Sequence, residues 1–188
     1  MLSAPESNED PALLRGVVDA ALHGDTDAWE QLYTRLRPRL YGLSLQRLHD
    51  ANDAEDAVAE TMLRAVKGAS GFRWRGGGFD AWIFRICTNV IADMGRSRVR
   101  GQALLVGGQG VDTTEIDERA VLEEEHAAVR RAFDRLDDDD RELLELRLIA
   151  RLTSDEVAHV LRRRPGAVRM AQSRALARLR ANMEEEYR

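Results

Sequence analysis

The chain has 188 residues, 32% of them charged, and a net charge of −5, enough for one ordinary domain or two small ones. No run approaches the roughly 18 apolar residues of a membrane span, and no signal-peptide pattern opens the chain. A single cysteine, Cys87, excludes an internal disulfide and a cysteine-cluster metal site, and four scattered His have no metal-ligand spacing. The expectation is a cytoplasmic protein without metal or cofactor.

Charge is unevenly spread. Residues 1–60 carry five basic and twelve acidic side chains, and 61–100 carry eight and two. Residues 101–126 carry one and seven, and 127–188 fourteen and twelve. Two basic blocks therefore alternate with two acidic ones, which points to one surface for a polyanion and another for a basic partner.

In chain order, residues 1–11 read as a polar tail. Leu13, Leu14, Val17, Val18, Ala21 and Leu22 predict a short amphipathic helix from Ala12 to Leu22. Asp25 or Asp27 caps the next, which carries Trp29, Leu32, Tyr33, Leu36 and Leu40, with Pro38 expected to kink or split it. A third helix is predicted from about Asp53. Asp53, Asp56 and Glu60 share one of its faces, either as favourable charges near a helix start or as a stripe that docks on a basic protein.

Gly68 to Gly78 is a loop by its glycines, and it alternates aromatic and Arg residues at Phe72, Arg73, Trp74 and Arg75. Such a loop suits unstacked bases; the alternative is that Phe72 tucks into the core. A fourth helix is predicted from Phe79 to about Arg98, with Phe79, Ile83, Ile86 and Val90 buried and Cys87 a buried thiol. Arg85, Asn89, Ala92 and Arg96 share another face, extended by Arg98 and Arg100, and suited to phosphates and bases.

Gly101 to Glu118 reads as an acidic flexible linker. Helix returns around Arg119, with Val121, Leu122, Val129, Phe133 and Leu136 in helical periodicity. Asp137 to Asp140 ends it and caps a helix from Arg141 to Arg151; this run reads as a cap and solvated turn, not a Mg²⁺ site. Thr153 and Glu156 then form a capping box, and Pro165 suits the first position of a last helix. In that helix Val168, Ala171, Ala175 and Leu179 form a buried stripe, while Arg169, Met170, Ser173 and Arg174 face away. From His159 to Met183 there are seven Arg and no acid. A small-residue packing face opposite an arginine-rich one is how a recognition helix sits in a major groove. With no credible strand, the class is all-α, in two small helical domains.

The order of these pieces resembles the small extracytoplasmic-function σ factors of bacterial RNA polymerase, over nearly all of Ala12 to Met183. Asp53-Ala54-Glu55-Asp56 is similar to the family's acidic region-2 motif. Phe79-x-x-Trp82-Ile83-x-x-Ile86-x-x-Asn89-x-x-x-Asp93-x-x-Arg96 is similar to the helix that melts and reads the −10 element, after a loop that takes up a flipped base. Arg141 to Arg147 followed by Thr153 to Leu179 resembles region 4, which reads the −35 element.

The resemblance implies a region 2 domain over 12–100, a linker over 101–118 and a region 4 domain over 119–183. It implies a promoter-specific initiation factor, not an enzyme, binding core polymerase at the β′ clamp helices and β flap, with Asp53, Glu55, Asp56 and Glu60 on the docking face. It assigns Phe72, Arg73, Trp74, Arg85, Asn89, Arg96 and Arg98 to single-stranded −10 DNA. It assigns Arg163, Arg164, Gly166, Ala167, Arg169, Met170, Ser173 and Arg174 to duplex −35 DNA. An anti-σ partner is expected, with no membrane contact by the chain itself and no further regulatory domain after region 4. The acidic linker is either a nucleic-acid mimic in the polymerase RNA path or a solubilising tether.

Departures from the family pattern are Ala59 where Gln is common, Met62 where an aromatic is common, and Ala167 where Thr is frequent. Arg164 replaces a small polar cap, and no turn glycine stands near Arg162. A stand-alone helix-turn-helix regulator of duplex operators is the alternative; it leaves Phe72 to Arg96 unexplained. A helical adaptor would need both Arg-rich faces to be mere solvation. A further expectation is that the free protein packs its two domains together and masks both DNA surfaces.

Overall fold

The computed structural model describes residues 11–102 and 128–186, with side chains for all but 98–102. The tail, nearly all of the predicted linker and the first turns predicted after Arg119 lie outside the described residues. Everything described is helix or turn, with no strand.

The first domain is a four-helix unit. α1 (Pro11–Leu22) buries Val18 and Ala21. α2 (Thr26–Leu48) is capped by Asp25, whose carboxylate accepts from the backbone N–H of Asp27 and Ala28. It does not split at Pro38. Pro38 lies on the exposed face, while Leu32, Leu36, Leu40 and Leu43 bury a continuous row on the other. α3 (Ala51–Gly68) starts two residues earlier than predicted because Asp50 is its cap, accepting from Asn52 and Asp53.

α4 (Gly78–Gln102) outruns its predicted end and includes the first two residues assigned to the linker. It buries Phe79, Ala81, Ile83, Phe84, Cys87, Val90 and Ile91, with Ile86 only half-buried. Between α2 and α4, Asp80 is 7% exposed and receives both Arg35 guanidinium nitrogens, at 2.8 and 2.9 Å, and Arg39 at 2.6 Å. Burial pushes the Asp80 carboxyl up, but the two guanidinium groups together hold it below the usual carboxylate range.

The second domain begins with α5 (128–134). Asp137 caps α6 (Asp138–Leu144), accepting from the Asp140 N–H. The helix predicted over Arg141–Arg151 instead begins at Asp138 and passes into a π-helical turn, Glu145–Ile149. There the Ala150 N–H bonds the Glu145 carbonyl at 3.0 Å, one residue longer than an α-helical step. The Thr153–Glu156 capping box closes in both directions at the start of α7 (Ser154–Val160). The turn to α8 (Pro165–Glu186) passes through Arg162 at φ 54°, a left-handed conformation in which a glycine costs nothing. In α8 Val168, Ala171, Ala175 and Leu179 are buried against α6 and α7.

The two domains pack together, α2 against the π turn and α4 against α7, so the buried apolar residues of both join in one cluster.

Candidate polymerase-docking and nucleic-acid surfaces

On α3 the four predicted docking acids differ in how free they are. Glu55 is paired with Arg37 at 2.6 Å, and Glu60 with Arg64 at 2.6 Å. Arg64 also reaches Asp93 at 3.0 Å, and Asp93 is bonded to Arg96; these two arginines hold the Asp93 carboxyl below its ordinary range. Asp53 is half-buried and also has a partner, and Asp56 is exposed. Leu63 and Val66, 47% and 49% exposed, lie on or beside the face that carries Asp56 and Glu60. The sequence reading missed them. Their signal is apolar residues at helical spacing off the buried row of Ala54, Ala57, Val58, Thr61 and Ala65.

The loop before α4 is built around Phe72, which is 6% exposed. Its ring lies 5.1 Å from Trp82, 5.2 Å from Trp74 and 5.6 Å from Phe79, mostly edge-on or tilted. Of the two alternatives, the ring is in the core. Trp74 is pinned from outside: its indole N–H donates to Asp19 at 2.8 Å, and Arg15 stacks over the ring at 5.0 Å. Arg73 is exposed and folds back to donate to the carbonyls of Ser70 and Phe72. On α4, Asn89 and Arg96 are exposed and Arg85 is half-buried, while Arg98 has no described side chain.

On α8 the outward face matches the predicted pattern: Arg164, Gly166, Ala167, Arg169, Met170, Ser173 and Arg174 are all exposed. Met170 is 69% exposed, an apolar group kept in water on a charged face. Arg163 is half-buried and pairs with Asp139 at 2.8 Å. From behind, Arg147 donates to Gln172 at 2.9 Å and to the Leu152 carbonyl, fixing α8 to the π turn. Burial holds the Arg147 guanidinium below its usual range.

The domain packing does not mask both predicted surfaces. It turns Arg85 of α4 and Arg163 of the α7–α8 turn into one cleft, together with Gly77, His159 and Arg162. Asn89 and the outer face of α8 remain open. Among the described residues no helix is long and apolar enough to cross a membrane, and no group of His, Cys, Asp and Glu is placed to hold a metal.

Two family models match the chain: Sigma-70 region 2 over residues 32–101 and Sigma-70 region 4 over residues 132–181. The ECF RNA polymerase sigma factor BldN of Streptomyces coelicolor is 30% identical, over 98% of this chain and 71% of its own length. The ECF RNA polymerase sigma factor ShbA of Streptomyces griseus is 30% identical, over 95% of this chain and 99% of its own. Among solved structures, CnrH in complex with the cytosolic domain of CnrY superposes with a TM-score of 0.70 at 27% identity, covering 91% of this chain and 97% of CnrH. With both regions matched in order and both relatives aligned over 95% or more of this chain, the chain belongs to the extracytoplasmic-function σ factors of bacterial RNA polymerase.

Proposed function

We propose that this σ factor grips a promoter at two points and docks on core polymerase by a third surface. The observation that carries this reading is the build of α8: four small or aliphatic side chains bury one face, and Arg169, Met170, Ser173 and Arg174 stand opposite in water. That face enters the major groove of the −35 element. Arg163, Arg164, Gly166 and Ala167 approach the phosphates at the helix start. A true base contact from Arg169 or Arg174 contributes about 1–3 kcal/mol of discrimination, whereas a phosphate contact only positions.

The −10 element is read as single strand by α4 and its preceding loop. Asn89, exposed and with both donor and acceptor in one plane, reads a base edge. Arg85, Arg96 and Arg98 track the backbone. Flipping a base costs a few kcal/mol, offset by stacking. Phe72 serves as the floor of that pocket, since it is buried, and Arg73 and Trp74 form its rim.

The core enzyme supplies the chemistry. Asp53, Glu55, Asp56 and Glu60, flanked by Leu63 and Val66, dock on the β′ clamp helices; the second domain docks on the β flap. In this reading the region 2 domain spans 12–100 and the region 4 domain 119–183, with the acidic linker of 101–118 lying in the RNA path or serving as a tether. The protein works in the cytoplasm, and its regulator is an anti-σ factor.

Run-off transcription with core polymerase on genomic DNA tests the reading: specific transcripts are expected, and failure to bind core or to start transcripts would sink it. Asn89→Ala should lower open-complex formation, read by permanganate footprinting, while core binding stays unchanged. Equal loss of both would point to misfolding.

A further inference from the structure

The proposed function uses no residue of α1, yet α1 holds the loop that precedes α4. Arg15 and Asp19 stand four residues apart, on one face of that helix. The Trp74 indole N–H donates to the Asp19 carboxylate at 2.8 Å, and the Arg15 guanidinium lies 5.0 Å from the centre of the same ring. Among the described residues this is the one side-chain hydrogen bond that ties 72–77 to a segment far along the chain. Arg73 reaches only the carbonyls of Ser70 and Phe72. Trp74 also meets the Phe72 ring edge-on at 5.2 Å. It therefore bridges α1 and Phe72.

Two features point past packing. Asp19 places an acid beside a loop read as a strand-binding surface, where its charge opposes phosphates. Trp74 keeps 37% of its surface exposed, on a segment that runs into three glycines, Gly76, Gly77 and Gly78. A ring left untied there would sample many rotamers, and an arriving base would have to order it. The Asp19 bond and the Arg15 stack fix it beforehand. Phe72 in turn lines a cleft whose walls include Arg73, Arg75, Trp82 and Arg85. The ring that Trp74 holds is thus the floor of the base pocket proposed above.

We propose that α1 is part of the −10 base-capture site: Asp19 is a positioning residue that sets Trp74, and through it Phe72, before a strand arrives, while Arg15 backs the indole. The inference rests on the single-strand reading of α4 and its loop. Asp19 touches no base in this arrangement. What it supplies is order: the flipped base meets a stacking surface already in place, so less of the stacking is spent on arranging the loop. Arg15 is exposed and makes no ion pair among the described residues, and its cation offsets the charge that Asp19 brings to this edge.

The test compares holoenzymes carrying wild-type factor, Asp19→Ala or Asp19→Asn, on a promoter recovered by genomic run-off. Charge alone predicts that both variants open the promoter as well as wild type or better, since each removes one acid. Positioning predicts a split. Asp19→Ala loses the acceptor and should form open complexes at least about fivefold more poorly by permanganate footprinting, with core binding unchanged. Asp19→Asn keeps an oxygen for the indole and should stay within about twofold of wild type. Two results would overturn the proposal: an Ala variant that opens the promoter as wild type does, or an Asn variant that fails as badly as Ala. If Asp19→Ala also lowers the unfolding midpoint, a cycle with Trp74→Phe decides. Phenylalanine keeps an aromatic ring without the indole donor, so Asp19→Ala should add nothing in that background. A further loss of the same size there would remove Trp74 from the path and overturn the proposal. Asn89→Ala without effect on opening would instead sink the −10 reading itself, a separate outcome.

Discussion

Asp80 and Glu145 are both buried carboxylates answered by arginines of α2, and burial alone would raise the pKa of each. Asp80, inside the first domain, receives a bidentate pair from Arg35 and a third bond from Arg39, and its carboxyl is held below the usual range. Glu145, between the domains, accepts from the Nε of Arg47, and burial outweighs the pull of Arg47 and Arg141, so its carboxyl is held above it. The first site is complete and belongs to a contact the domain keeps. The second is incomplete: burial outweighs what its cations return. Arg39 links the two, bonding Asp80 and the Ala150 carbonyl while lying over the Phe84 ring at 5.0 Å.

The sharpest way to break this contrast is to neutralise each carboxylate in turn. Asp80→Asn strands two largely buried guanidinium groups and should cost about 3–5 kcal/mol in urea unfolding. Because the folded pKa of Asp80 is lowered, its contribution is fully present above the unfolded carboxylate range near about 3.9 and is lost as pH falls through the folded value. The acid-side loss of stability should therefore be shallower in Asp80→Asn than in wild type; identical slopes would remove Asp80 from the account.

Glu145→Gln should cost no more than about 1 kcal/mol, since an amide oxygen can still accept from Arg47 and the charge being removed is poorly compensated. The sign is opposite here: with a raised folded pKa, the ionised form weakens the packed state as pH rises through that value. A Glu145→Gln loss equal to that of Asp80→Asn would abolish the distinction. The smallest effect serves as a control within the second domain. Arg162→Gly relieves a left-handed conformation and should raise stability by up to about 1 kcal/mol, read by the same unfolding curves. That gain should add to the Glu145→Gln effect, since Glu145 lies in the π turn and Arg162 in the turn after α7.

What the sequence made legible was local. Asp25, Asp137 and the Thr153–Glu156 pair cap helices within three residues of themselves, and the buried row of α8 repeats at one fixed period. The missing turn glycine near Arg162 was visible too, and the structure shows the backbone conformation that makes it matter. The rest depends on partners far along the chain. Trp74 finds Asp19 across 55 positions and Arg47 finds Glu145 across 98, so no periodicity announces either. Pro38 looked like a break because its solvent-facing position and the strength of the leucine row behind it are tertiary facts. The choice between a core and a base-binding Phe72 stayed open for the same reason, since Phe79 and Trp82 had first to be brought around it.

The π turn at Glu145–Ile149 has one more consequence, for how this gene tolerates insertion and deletion. A π step holds one residue more than the α-helix would at that point, and each residue of an α-helix turns the chain by about 100°. Losing one codon there would let the helix close up regularly, at little local cost. The bill would fall downstream: Ile149 would swing from Gly42, the Ala150 carbonyl from Arg39, and the Thr153 cap would start α7 on a different side. Single-residue length changes should therefore be accepted less readily in these five residues than in the exposed turn at His23 and Gly24 between α1 and α2, even though neither segment touches DNA in the two-point grip.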